Sequence, residues 1–364
     1  MVVQQITNIL EELAPLANAE DFDNVGLLVG NANSEVTGVL VTLDTLENVV
    51  DEAIEKKCNL IVSFHPIIFS GLKKITGKNY VERVVLKAIQ NNIAIYSMHT
   101  ALDNVPNGVN GKICKVLGLS NTQILIPKKE TIKKLTTYIP KSSAEKLKIA
   151  LFNAGAGNIG KYSNCSFTVN GIGSYLPGDD ANPSIGEVGS LHYEEETQIN
   201  ITYSRANEKE ILKTLFKNHP YEEVAYEIST LENINQNIGM GMVGILPKPM
   251  KEGDFLEYIK EKMKVSSIRH SQLLGKEVEK IAVLGGSGSF AIGAAKSVNA
   301  DVFITADLKY HQFYEAESKL LIADIGHYET EQYTKNLLVD YLTKKIPNFA
   351  IRISESETNP IKYF

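Results

Sequence analysis

The sequence predicts an α/β fold: one α/β domain built from both ends of the chain, interrupted by an inserted α+β domain of ferredoxin-like pattern. Three observations point there. Short apolar strands alternate with amphipathic helices in the first third, a different order of elements fills the middle, and the first pattern returns toward the C-terminus. At 364 residues the chain also exceeds what a single hydrophobic core usually serves.

The first third opens with "ITNILEELAPLANAE", helical up to Pro15. "TGVLVTLD" reads as a strand and "TLENVVDEAIEKKC" as a helix with Thr45 at its cap. The strand "NLIVSF", the helix "VERVVLKAIQNN" and the strand "IAIYSMH" follow. Such alternation indicates a mostly parallel sheet covered on both faces. From about residue 127 the order becomes β-α-β-β-α-β: "KKETIKKLTTYIP", "SAEKLKIALFNAG", "CSFTVNGI", "TQINITYS", "NEKEILKTLFKNH" and "VAYEIST". "NINQNIGMGMVGIL" reads as the closing linker. The α/β pattern then resumes with "GDFLEYIKEKM", "KIAVLGG", "SFAIGAAKSV", "ADVFITAD", "YHQFYEAESK" and "LLIADIG". The expected division is residues 1–126 with 247–364 for the α/β domain, in two similar halves, and 127–246 for the insertion.

Composition narrows the function. A hydrophobic fraction of 43% and a charged fraction of 22% describe a soluble globular protein. The net charge of -6 gives no electrostatic footprint for nucleic acid. Cys58, Cys114 and Cys165 form no CxxC pair, which suits a reducing compartment and argues against a thiolate zinc site. The N-terminus starts as a helix with no secretory signal pattern, and no apolar stretch approaches the ~20 residues of a membrane span. A cytoplasmic protein is expected.

The seven histidines carry the chemistry. His65, His99 and His327 each end a strand, and Asp103 and Glu331 follow the latter two at i+4. In open α/β sheets ligands collect outside the carboxyl ends of strands, so these groups could converge on one crevice. An i,i+4 pair in a helix lies on one face, able to grip one ion, and imidazole with carboxylate suits zinc, iron or manganese. Each residue alone reads better as a cap or a hydrogen-bonded strand end; the three sites together favour a metal. "VLGGSGSF" follows a strand and opens a helix, where backbone N–H groups could hold an anion or simply make a tight turn. Asp21 and Asp23 read as a turn and cap. Asp307 and His311 are a further i,i+4 pair at a strand end, open to lining the same crevice or equally to serving as an N-cap and a solvated helix face. His219 reads as fold-determining, and His192 and His270 as surface residues.

These segments resemble the GTP cyclohydrolase I type 2 homologues, also called the NIF-three-like proteins. "EDFDNVGLLVG", "LIVSFHPIIFSGLKKI", "MHTALDN", "AVLGGSGS", "ITADLKYH" and "GHYETEQ" match family blocks in order. "NGIGSYLPGDDANPSIG" and "HPYEEVAYEI" resemble the PII-like insertion of the longer members. The resemblance implies a NIF-three-like α/β domain, a two-metal site and a toroidal homohexamer. Carried over, the metal ligands are His65, Asp103, His327 and Glu331, with Glu331 bridging and His99 placed for proton transfer. The sequence departs from the family at Phe64, where the first histidine of a pair is expected. One or two divalent ions per subunit are therefore expected. The function implied is a metal-dependent hydrolase acting on a small molecule or nucleotide, with His99 and Glu331 catalytic. The alternative is a metal-binding regulatory or interaction protein without catalysis.

Overall fold

The computed structural model describes residues 1–363. The chain divides into two compact units: Met1–Pro127 together with the segment from Gln236 onward, and Lys128–Asn235 between them.

The N-terminal half of the larger unit contributes β1 (Gly26–Val29), β2 (Val39–Thr42), β3 (Leu60–Ser63), β4 (Ala94–Ser97) and β5 (Ser120–Pro127). The inserted unit holds β6 (Ile132–Pro140), β7 (Phe167–Tyr175), β8 (His192–Ser204) and β9 (Tyr226–Leu231). The C-terminal half returns with β10 (Gly239–Lys251), β11 (Arg269–His270), β12 (Glu277–Ser287), β13 (Val302–Ala306), β14 (Leu321–Asp324) and β15 (Ile351–Ile353).

One sheet of the larger unit has the order β1-β4-β3-β2-β15, the other β11-β14-β13-β12-β10-β5. In the first, β2, β3 and β4 run parallel in succession, and so do β12, β13 and β14 in the second. The central strands are buried throughout, as expected where helices cover a parallel sheet. A single core spans both sheets, joining Val41, Val62 and Tyr96 of the first to Val283, Ile304 and Ala323 of the second. The C-terminal strand β15 adds to β2 in parallel, so the chain's end completes the sheet its beginning started.

The inserted unit keeps the β-α-β-β-α-β order, with helices Ala144–Asn153 and Glu208–Asn218. Its strands line up as β7-β8-β6-β9, all neighbours antiparallel. Leu135, Ile139, Ile199 and Ile201 of the strands bury against Leu147, Leu151, Ile211 and Leu215 of the helices.

The segment expected to be a linker is not one. From Gly239 it forms β10, antiparallel to both β5 and β12. Its glycines obscured the alternation that marks a strand. They are there because a Cβ at Gly239 (φ +154°) would strike the backbone of Ile126 and Pro127. The larger unit accordingly resumes at Gln236, not at 247.

Candidate metal centre

The two parallel triplets deliver polar side chains at their carboxyl ends. Asp44 follows β2, His65 follows β3 and His99 follows β4; Asp307 follows β13 and His327 follows β14. Hydrogen bonds to main-chain carbonyls pin the two histidine loops, with His65 N donating to Leu43 O (2.9 Å), His99 N to Phe64 O (2.9 Å) and Ser97 Oγ to Phe64 O (2.7 Å). His327 opens a short helix, His327–Glu331, so Glu331 lies one turn on and on the same face.

His65, His327 and Glu331 meet. His65 Nε2 is 3.2 Å from Glu331 Oε2, His327 Nε2 is 3.3 Å from the same oxygen, and the two nitrogens are 3.4 Å apart. These three atoms could hold a metal ion. Oε2 is buried and accepts no aligned hydrogen bond among the described residues, although both nitrogens are close. The two Nε2 atoms also lie within hydrogen-bonding reach of each other, so all three atoms crowd one small space.

The far side of each imidazole is held by a carboxylate. His65 Nδ1 lies 2.9 Å from Asp44 Oδ1, and His327 Nδ1 lies 2.7 Å from Asp307 Oδ2. A proton kept on Nδ1 leaves the Nε2 lone pair for the centre. Electrostatics follow the same layout. Burial opposes charge on His65, but Asp44 and Glu331 outweigh it and push the imidazole up to about 10. Burial likewise opposes charge on His327, which Glu331 and Asp307 raise to about 9. Burial would raise Glu331, yet the two imidazoles bring it down to about 2. A cation has to displace protons from the same lone pairs.

Asp103 lines the same cavity of about 210 Å³ as His99, His327 and Glu331, but its carboxylate does not join the three-atom group. Its Oδ1 is buried and has no partner among the described residues. Burial first, then the charge of Glu331, drives its pKa well above the ordinary carboxylate value. A buried, unpartnered acid beside a carboxylate is costly unless positive charge comes near, which is what a cation would supply.

Gly286 makes room for this arrangement. At φ +68° it occupies a conformation that suits glycine, and a Cβ there would lie 2.5 Å from Glu331 Oε1 and 3.3 Å from His327 Nε2. The glycine-rich turn is not an anion cradle at its first two amides. Gly285 N donates to Asn110 Oδ1 and Gly286 N to Thr330 Oγ1, both at 2.9 Å. Thr330 Oγ1 in turn donates to His327 O (2.6 Å), so the turn clamps the helix that carries Glu331.

Phe64 is completely buried, its ring 4.9 Å from that of His65 and 5.6 Å from that of His99. It fills with apolar bulk the space beside the imidazoles.

Three supporting carboxylates escaped the sequence reading or were assigned elsewhere. Asp44 was missed, although it lies just past the strand preceding that of His65. Asp307 pairs with His327, whereas His311 is exposed, as on a solvated helix face, and packs on Tyr310 and Tyr314. Asp23 does more than cap: Oδ1 binds His99 Nδ1 at 2.8 Å while Oδ2 takes the Thr100 amide at 3.0 Å. His219 is held by the Tyr138 carbonyl, in keeping with a structural role; His270 is exposed, whereas His192 is half-buried against Tyr175.

A model of the Duf34/NIF3 (NGG1p interacting factor 3) family matches residues 1–360. The chain belongs to the Duf34/NIF3 family. A Bacillus subtilis relative named GTP cyclohydrolase 1 type 2 homolog is 39% identical, over 99% of this chain and 98% of that one. A Staphylococcus epidermidis protein of the same name is 35% identical over the full length of both. Among solved structures, a Bacillus cereus protein related to NIF3 superposes with a TM-score of 0.85 at 36% identity, covering 100% of this chain and 99% of that one. Among the described residues no helix is long and apolar enough to cross a membrane.

Proposed function

We propose that this Duf34/NIF3 protein is a metal-dependent hydrolase whose divalent cation is held by His65, His327 and Glu331, with Asp103 facing it. The observation that carries the reading is the triangle of donor atoms, with sides of 3.2, 3.3 and 3.4 Å. A tetrahedral ion about 2.0–2.1 Å from each ligand spaces its ligands about 3.3–3.4 Å apart. Two imidazoles and a carboxylate suit zinc, iron or manganese. A bound ion supplies Lewis acidity and acidifies water at its open positions.

The protein's own residues do the rest. Asp44 and Asp307 keep the Nδ1 protons in place, fixing the orientation of both rings. Asp23 does the same for His99, which leaves Nε2 to accept a proton in the cavity. Glu331 and Asp103 gather positive charge there. The names of the relatives suggest a nucleotide substrate, GTP, though no side chain of the cavity is matched to guanine. A homohexamer, a cytoplasmic location and a PII-like kinship of the inserted unit belong to the same proposal. Phe64, standing where an imidazole is expected, supports a second reading: a metal-binding regulatory protein with one ion per subunit.

Metal analysis of protein purified without added ions tests the site. We expect close to one equivalent of a divalent transition ion, reduced at least about tenfold in His327→Ala and Glu331→Ala. Loaded wild-type protein is expected to open or hydrolyse GTP or another small substrate, and His99→Ala to retain the ion but lose turnover. Undiminished metal in both ligand variants would sink the proposal; metal without turnover on any nucleotide would favour the regulatory reading.

A further inference from the structure

We propose that the inserted unit carries a binding site for a small organic cation, an amine or quaternary ammonium group, held between tyrosine rings and carboxylates. The cavity measures about 470 Å³ and is lined entirely by residues between Tyr138 and Ala225. That size falls within the about 300–1,000 Å³ typical of small-molecule sites. Tyr138, Tyr175 and Tyr221 contribute aromatic surface, and Glu196, Glu222 and Glu223 contribute the charge. No lysine, arginine or histidine is among the described residues that line it. Aromatic faces and carboxylates without a resident cation select positive charge and exclude anions.

The site is built, not incidental. Tyr221 Oη donates to Glu196 Oε1 at 2.9 Å, and the rings of Tyr175 and Tyr221 meet edge to face at 5.7 Å. Burial and the neighbouring Glu196 push the Tyr221 phenol up, so its hydroxyl stays a donor. The other Glu196 oxygen lies against Gly173, where any Cβ would displace it. The loop between β7 and β8 folds back over the tyrosines. Tyr175 Oη donates to Ile185 O (2.9 Å), Gly189 N to Pro177 O (2.9 Å) and Asn182 N to Glu222 Oε1 (2.8 Å). The same loop carries Asp179 and Asp180, adding to the negative field.

Calorimetric titration of the full chain with choline and with n-butylamine tests this. At least one is expected to bind with millimolar affinity or better, and at least about tenfold more tightly than its uncharged carbon or alcohol analogue. Glu196→Gln and Tyr175→Leu should each weaken that binding about tenfold with metal content unaltered. Should Tyr175→Leu lower the melting temperature, Glu196→Gln alone decides. Absence of binding by both cations up to about 10 mM, equal binding of the neutral analogues, or full affinity in Glu196→Gln would each overturn the proposal.

Discussion

Gly286 bears on the candidate centre more directly than its lack of a side chain suggests. Its positive φ and the space beyond its Cα are both taken up by the approach of Glu331 and His327. Gly286→Ala is expected to push Glu331 out of line and cut metal retention at least about tenfold. The fold should survive with a loss of about 1–3 kcal/mol, measured by denaturant unfolding beside metal analysis. Retention equal to wild type would show that the glycine serves only the turn. Among these residues, His65 and His327 were legible because a polar group just past an apolar strand is conspicuous, and Glu331 because it follows His327 at i+4. Asp44 and Asp307 were less so, as each precedes its histidine by a whole strand-helix repeat, 21 and 20 residues away. A search for acids and histidines at the ends of successive strands would have found both. Asp23 lies 76 residues from His99, and no local pattern links them.

Polar contacts join elements distant in sequence, and Glu52 is a clear case. From the helix Glu47–Glu55 it binds Lys56 Nζ (2.7 Å), Ser354 Oγ (2.6 Å) and the amides of Glu355 (2.9 Å) and Ser356 (3.0 Å). It thereby fastens the segment just after β15. Burial opposes the charge, but these donors together lower the carboxyl to about 2 from an ordinary 4.5. Because the folded value is depressed, the stabilisation is complete above pH 4.5 and is lost as pH falls toward about 2. Glu52→Gln should cost about 1–3 kcal/mol at neutral pH. Its melting curve should approach that of wild type as pH drops through this window. A difference that stays constant from neutral to acid pH would contradict the assignment. The strands and helices themselves were readable wherever burial imposed a period. β10 was not, because its glycines answer to the close approach of β5 and not to a hydrophobic face.

For the whole molecule, the place of the insertion is decisive. Residues 128–235 leave at the end of β5 and return just before β10, and Gly239 stands opposite Pro127 in an antiparallel pair. The larger unit therefore needs only a hairpin turn to close the gap. Replacing 128–237 by a short glycine-containing turn is expected to leave that unit folded, with its metal content unchanged. Circular dichroism and metal analysis would check it, and an unfolded or metal-free product would mean the insertion is required for the fold or the site. The sequence by itself determined the alternation of strands and helices, the existence of an insertion, and the residue types offered at the strand ends. These are local matters, set by period, turn chemistry and burial along a few residues. Which of those groups meet was decided only in three dimensions. His65 and His327 are 262 residues apart, and their nitrogens come within 3.4 Å because two parallel triplets sharing one core direct their carboxyl ends to the same place. Asp103, one turn beyond His99 in sequence, was left outside the triangle by the same packing.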